Sequence, residues 1–151
     1  MVTIDTLKIK RIFQQQTPKQ KRLSLNQQKT IATLQELAAA NSAIEVVWLY
    51  GSQAKGNAVA NSDYDLAIAY DQKLIAKRAF YCDELSYQWS KATTEKISII
   101  DINNVPIPLA YSAIHDGKVI YCRYPLRLHS EQQRIWSLWE AFRNEHDRNR
   151  K

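Results

Sequence analysis

The sequence predicts a mixed α/β (α+β) domain, with one small mixed sheet flanked by helices and a C-terminal helix at the end. Segments rich in β-branched and aromatic residues alternate along the chain with segments whose apolar residues recur at helical spacing. The 151 residues are enough for one ordinary domain with a buried core. A hydrophobic content of 45% and a charged content of 24% are typical of a globular protein rather than a disordered one.

The first elements are predicted from composition and periodicity. Residues 1–24 are polar and basic, and we interpret them as an arm outside the folded domain. A helix is predicted to begin near Leu25, with Asn26 as its N-cap, because the apolar residues that follow share one face. The segment 44–50 is β-branched and aromatic, which is typical of a strand buried on both sides. A short helical turn is then expected at 52–55.

The middle of the chain predicts two strands around one helix. Residues 63–70 form the second predicted strand, in which Ala67 and Ala69 would continue the face of the acidic residues and leave room for a ligand. A long helix is predicted over residues 72–92, and a third strand over 95–102.

The last predicted elements are a helix, a strand and a longer helix. Two prolines at 106 and 108 suit the opening turn of a helix that ends near residue 115, and a short strand follows at 118–121. Ser130 and Gln133 predict a capping box for the final helix. We therefore divide the chain into an arm (1–24), a central domain (25–124) and a C-terminal helix (125–151).

Several classes of protein are excluded by the same inspection. No run of about 18 apolar residues is present, so a membrane span is not expected. The N-terminus lacks the basic start and apolar stretch of a secretory signal, which predicts a cytoplasmic protein. Cys82 and Cys122 fit no metal-binding spacing and are predicted to be reduced thiols.

The net charge of +6 is concentrated at the two ends of the chain. Basic residues crowd the first thirty positions and the last ten, whereas the middle carries most of the acids. A basic rim around an acidic centre would suit a polyanion such as a nucleotide triphosphate or RNA, or an acidic protein surface. The alternative is that the charged ends serve only solubility.

The loop after the first strand has the features of a phosphate-binding site. Gly51 follows a buried strand directly, where the lack of a β-carbon lets a ligand approach the backbone. Ser52 supplies a hydroxyl and an N–H at the start of a helical turn, which favours an anion. Lys55 lies one turn later and would meet the charge of a triphosphate.

Two carboxylates on the second strand predict a metal site. Asp63 and Asp65 are two residues apart, so both side chains project from the same face. Carboxylates this close raise each other's pKa unless a cation lies between them, and Mg²⁺ is the natural partner because it shares its ligands with phosphates. The alternative is that 61–63 is only a turn and Asp65 a charge that protects an edge strand.

The segments 51–56 (Gly-Ser-Gln-Ala-Lys-Gly) and 62–66 (Ser-Asp-Tyr-Asp-Leu) resemble the signature of the polymerase-β-like nucleotidyltransferases in their minimal (MNT) form. The resemblance covers about residues 25–122 and is greatest to the MntA-type antitoxins of bacterial HEPN/MNT toxin–antitoxin pairs. It implies the polymerase-β-like nucleotidyltransferase fold.

The resemblance also implies an activity. Such antitoxins use ATP and Mg²⁺ to transfer AMP onto a tyrosine of a HEPN ribonuclease toxin, which inactivates it. The cognate HEPN toxin would be the protein partner in a hetero-oligomer, and no membrane is involved.

Carried over to this chain, the site residues follow by position. Gly51 and Ser52 would hold the triphosphate, with Lys55 and Ser62 beside it, and Asp63 and Asp65 would hold two Mg²⁺ ions. Many relatives place an acid at the positions of Ser98 and Asp101. Only Asp101 is acidic here, so the resemblance implies Asp101 as the third metal ligand and as the base for the attacking hydroxyl.

Two other interpretations remain open at this point. One is that the same site acts on an RNA end or a small molecule, although the chain is short for a second substrate-binding domain. A non-catalytic antitoxin that blocks a toxin by occlusion would not need the Gly-Ser turn or the two aspartates.

Overall fold

A computed structural model describes residues 23–56, 62–75 and 80–149, except for the side chain of Ile75. The predicted basic arm, apart from Leu23 and Ser24, lies outside the described residues, as do Arg150 and Lys151. Within these ranges, none of the helices combines the length and the apolar character that crossing a membrane requires.

The described elements alternate helix and strand, as the sequence predicts. In chain order they are α1 (Leu25–Ala40), β1 (Ile44–Tyr50), α2 (Ser52–Lys55), β2 (Tyr64–Tyr70), α3 (Gln72–Ile75), α4 (Tyr81–Thr93), β3 (Ile97–Asp101), α5 (Ile107–Asp116), β4 (Lys118–Cys122) and α6 (Pro125–Asn149).

In the described part of the chain, the sheet has four strands in the order β3-β2-β1-β4. β1 pairs antiparallel with β2 and β4, whereas β2 pairs parallel with β3, so the sheet is mixed. The mixed α/β class is therefore confirmed.

Both faces of the sheet are covered by helices. One face packs against α1 and α4, and its core includes Leu34, Val47, Leu66, Leu85 and Trp89. The opposite face packs against α5 and α6, and its core includes Trp48, Ala67, Ala69, Ala113 and Ile135. β1 contributes to both cores, which confirms that it is buried on both sides.

The expected ligand space above Ala67 and Ala69 is not present. Both residues are fully buried, in the same core as Ala110 and Ala113 of α5. Their small side chains let a helix approach the sheet closely, so the ligand would have to bind at the end of β2 that carries Asp65.

The predicted starts of two helices were wrong for identifiable reasons. Ser24, not Asn26, caps α1 through a capping box in which its hydroxyl accepts from the Gln27 N–H at 3.2 Å. α6 begins at Pro125, which suits a first helical position, so Ser130 lies inside the helix.

The predicted helix over 72–92 is interrupted. Phe80 has φ −114° and ψ 22° and precedes α4 as its N-cap. The apolar periodicity continues across this break, and the sequence signal that was missed is the acidic pair Asp83-Glu84 in the first turn of α4. Residues 76–79 of the predicted helix lie outside the described residues.

Candidate active site

The turn between β1 and α2 requires glycine at position 51. Gly51 has φ +74° and ψ −157°, a conformation that is essentially confined to glycine. Its carbonyl accepts hydrogen bonds from the N–H groups of Ala54 and Lys55, both at 3.1 Å, which starts α2 immediately after the strand. Ser52 is the first residue of this helix and is half-buried.

The carboxylate of Asp65 lies directly against Gly51. A β-carbon built on Gly51 would be 2.5 Å from Oδ2 of Asp65 and 3.4 Å from its carboxyl carbon. This proximity follows from the sheet, because Asp65 pairs with Tyr50, the last residue of β1. The fold therefore brings together the two halves of the motif, which are separated by ten residues in the sequence.

Asp63 and Asp65 influence each other electrostatically. The pKa of Asp65 is raised, first by burial and then by the negative charge of Asp63. Lys96 lies beside Asp63, with Nζ 3.5 Å from Oδ2, but its side chain is 79% exposed and such a pair contributes little. Two hard oxygen ligands that repel each other are a suitable set for a divalent cation.

The other two predicted phosphate-binding residues lie near this turn. Lys55 is the exposed last residue of α2. The pKa of Asp116 is lowered by a hydrogen bond with His115 and, as a smaller cause, by the charge of Lys55, which places Lys55 towards the end of α5. Ser62 precedes Asp63, and its carbonyl accepts a hydrogen bond from Gln53 at 3.2 Å.

Asp101 does not lie with the two aspartates. In the parallel pairing of β2 with β3, Asp101 is level with Ile68, three residues beyond Asp65. Ile68 and Asp65 lie an odd number of residues apart, so they face opposite sides of the sheet. Asp101 is buried on the side of α4 and accepts hydrogen bonds from the Tyr70 hydroxyl and the Asn103 N–H, both at 2.9 Å.

The predicted role of Asp101 as third metal ligand and base is therefore not compatible with its position. Among the described residues, no three acidic, histidine or cysteine side chains are arranged to hold a metal ion. The β3 residue level with Asp65 in the parallel pairing is Ser98, which is half-buried.

Two residues near the site were missed by the sequence analysis. Tyr50 pairs with Asp65, and its pKa is raised to about 12, first by burial and then by the charge of Asp65. Gln53 is 5% exposed and joins two other segments through its amide. Tyr50 directly precedes Gly51, so its position in the sequence could have indicated that it lies near the site. A single glutamine in a four-residue helix, such as Gln53, gives no such indication.

Comparison with known proteins places the chain in a family. Residues 32–125 match the sequence profile of the family described as "Polymerase beta, Nucleotidyltransferase". The chain belongs to this nucleotidyltransferase family. It is also 32% identical over 103 residues to the protein adenylyltransferase MntA of Aphanizomenon flos-aquae, an alignment that covers 61% of this chain and 69% of that protein.

Solved structures share the fold at lower identity. A chain of a toxin–antitoxin crystal structure with AMP-PNP superposes with a TM-score of 0.64 at 19% identity, covering 82% of this chain and 94% of that one. A chain of the tri-AMPylated Shewanella oneidensis HEPN toxin in complex with MNT antitoxin gives 0.63 at 15% identity, with 80% and 92% covered. These matches confirm the predicted nucleotidyltransferase fold.

Proposed function

We propose that this chain is a Mg²⁺-dependent protein adenylyltransferase that transfers AMP from ATP onto a tyrosine of a HEPN ribonuclease toxin and so acts as its antitoxin. Membership of the nucleotidyltransferase family supports the reaction class. The relative at 32% identity, which is named a protein adenylyltransferase, supports a protein as the acceptor. The observation that carries the proposal is the contact of the Asp65 carboxylate with Gly51, at the first turn of α2.

The triphosphate of ATP is assigned to the turn at Gly51 and Ser52. Free N–H groups at the start of a helical turn attract phosphate oxygens, and Gly51 has no side chain to block them. Lys55, the exposed last residue of α2, would supply a positive charge. Ser62, which directly precedes Asp63, would also lie beside the triphosphate.

Asp63 and Asp65 are the carboxylates that would hold Mg²⁺. The donor set fits, because burial and then the charge of Asp63 raise the pKa of Asp65, and a cation would relieve that unfavourable state. When bound, Mg²⁺ neutralises charge on the phosphates. Asp63 and Asp65 would orient the ion. Because Gly51 has no β-carbon, the Asp65 carboxylate can lie against it.

In the proposed reaction, the oxygen of the acceptor tyrosine forms a bond to the α-phosphorus of ATP. The bond between the α-phosphorus and the oxygen bridging to the β-phosphate breaks, and pyrophosphate and one proton leave. We do not assign the proton to Asp101, because that side chain is hydrogen-bonded to Tyr70 and lies on the other side of the sheet.

The test is co-expression with a HEPN toxin, taken from the neighbouring gene if that gene encodes one, followed by mass spectrometry of the toxin. We expect an added mass of one or more AMP units on a tyrosine. Asp63→Asn and Asp65→Asn should each abolish it, whereas the matched control Asp71→Asn, beyond the far end of β2, should not. Full modification by the double variant Asp63→Asn/Asp65→Asn would rule out the proposal.

A second candidate function, neutralisation of the toxin by occlusion, is favoured by one observation. The β3 residue level with Asp65 is Ser98, a position at which the family resemblance leads us to expect an acid. If the double variant still protects cells and forms a tight complex with an unmodified toxin, occlusion is the mechanism.

A further inference from the structure

We propose that Gln53 is a positioning residue, which holds Asp63 in place by joining the first turn of α1 to the segment that leads into β2. This inference rests on the proposed function only in taking Asp63 as a metal ligand. Gln53 is 5% exposed, which is unusual for a glutamine unless both ends of its amide are hydrogen-bonded.

Both ends of the Gln53 amide have partners in other segments. Its Oε1 accepts a hydrogen bond from Nε2 of Gln27 at 2.8 Å. Its Nε2 donates to the backbone carbonyl of Ser62 at 3.2 Å. Gln53 therefore connects α1, α2 and the residue that directly precedes Asp63.

Gln27 is itself fixed by the start of α1. Its side-chain oxygen accepts from the Ser24 N–H at 2.8 Å, and its N–H donates to the Ser24 hydroxyl at 3.2 Å. These reciprocal bonds form the capping box of α1. Gln27, the partner of Gln53, is thus held by the helix cap, and a continuous chain of hydrogen bonds runs from Ser24 to Ser62.

Asp63 needs such support more than Asp65 does. Asp65 lies within β2, which is paired on both sides, with β1 and with β3. Asp63 precedes the strand, and the next residue, Tyr64, is held by a hydrogen bond from its N–H to the Lys96 carbonyl at 2.9 Å. On the N-terminal side of Asp63, the bond from Gln53 to Ser62 restrains the backbone.

The consequence is that Gln53 sets the geometry of a metal ligand that it does not touch. Groups that orient metal ligands typically change metal affinity by about 10- to 100-fold when they are removed. Gln53→Met keeps the length and helix propensity of the side chain but removes both hydrogen bonds.

The chain offers a matched control for this substitution. Gln35 of α1 also donates its side-chain amide to a backbone carbonyl, that of Ile120 at 2.8 Å, and it is half-buried. This bond joins α1 to β4 and does not involve the motif. Gln35→Met should therefore remove an amide-to-carbonyl hydrogen bond of the same kind without changing the position of Asp63.

The experiment measures Mn²⁺ binding to the purified chain by the loss of the free-ion EPR signal, with hydrogen exchange of residues 62–65. We expect Gln53→Met to bind Mn²⁺ about 10-fold more weakly and to exchange faster at Tyr64, while Gln35→Met resembles the wild type. If Gln53→Met fails to fold, Gln53→Glu replaces it, since it keeps the acceptor for Gln27 and loses the donor to Ser62.

The outcomes separate this inference from the proposed function. Affinity within twofold of the Gln35→Met value, with equal exchange rates, overturns the positioning role. Weaker Mn²⁺ binding in Gln53→Met supports it even if no AMP transfer is ever detected. If the wild type binds no Mn²⁺, or if its Mn²⁺ binding persists in Asp63→Asn, both the metal site and the role of Gln53 are refuted.

Discussion

Replacement of Gly51 by alanine should disable the site through a single methyl group. The new β-carbon would lie 2.5 Å from Oδ2 of Asp65, whereas ordinary contact between such atoms is close to 3.4 Å. Either the carboxylate or the turn must therefore move by about 1 Å. Because Asp65 is proposed to hold the metal, this displacement reaches the reacting groups.

The size of the effect has two parts. The backbone at Gly51, with φ +74° and ψ −157°, costs a non-glycine residue about 1–3 kcal/mol of stability. A displacement of about 1 Å in a catalytic group commonly lowers the rate about 100-fold. We therefore expect Gly51→Ala to lose both stability and nearly all AMP transfer.

Gly56→Ala is the matched control. Gly56 also has a positive φ, +75° with ψ 12°, but a β-carbon there would meet no atom of the described residues within 4 Å. This substitution should cost only the left-handed backbone strain, about 1–2 kcal/mol. Its rate of AMP transfer should stay close to that of the wild type at a temperature where both are folded.

The assay combines urea unfolding with labelled AMP transfer, and each variant is also made in an Asp65→Ala background. Removal of the carboxylate removes the clash, so Gly51→Ala should cost less stability there, by about 1 kcal/mol or more. If Gly51→Ala and Gly56→Ala lose equal activity, and the cost of Gly51→Ala is the same in both backgrounds, the contact with Asp65 does not explain the glycine.

Three further predictions concern residues around the sheet. Asp65→Asn, measured by urea unfolding at neutral pH with a chelator present, should raise the free energy of unfolding, because it removes a charge that burial and Asp63 disfavour; no gain would contradict the electrostatic argument. Tyr70→Phe should lower the free energy of unfolding by about 1 kcal/mol through loss of the hydrogen bond to Asp101, and it should leave AMP transfer intact. Loss of AMP transfer in this variant would indicate that Asp101 does take part in the reaction. Burial raises the pKa of the Cys82 thiol from 9.0 to about 12. The thiol of the unfolded chain therefore loses its proton at lower pH than the thiol of the folded chain, and stability should fall as pH rises from about 9 towards 12. Urea unfolding of Cys82→Ala should show a shallower fall over the same pH range.

The strands and the main motif could be predicted because their signals are local. β1 was predicted with its observed bounds, since five of its seven residues are β-branched or aromatic and the segment has no competing helical pattern. The two-residue period of a strand predicts that Asp63 and Asp65 lie close together, and the structure shows the charge of Asp63 acting on Asp65 although Asp63 precedes β2. The contact of Gly51 with Asp65 was not predictable, since it depends on the pairing of β1 with β2.

The position of Asp101 shows where local reasoning ends. Sequence alone does not state the register of β3 against β2, and this register decides which residue lies beside Asp65. The observed pairing places Ser98 there and Asp101 level with Ile68. The break before α4 was missed for a related reason, because the apolar spacing continues on both sides of Phe80.

The alternation of β2 also has a consequence for how this motif can diverge. An insertion between Gly56 and Ser62 changes the gap in the motif but not which residues of the strand face the site, and lengthening such a connection costs little free energy. One extra residue inside Tyr64–Tyr70 would exchange the faces of Asp65 and Leu66, burying a charge and exposing a core residue. Related chains should therefore vary in the number of residues between the two halves of the motif, while the strand itself tolerates insertions only in pairs.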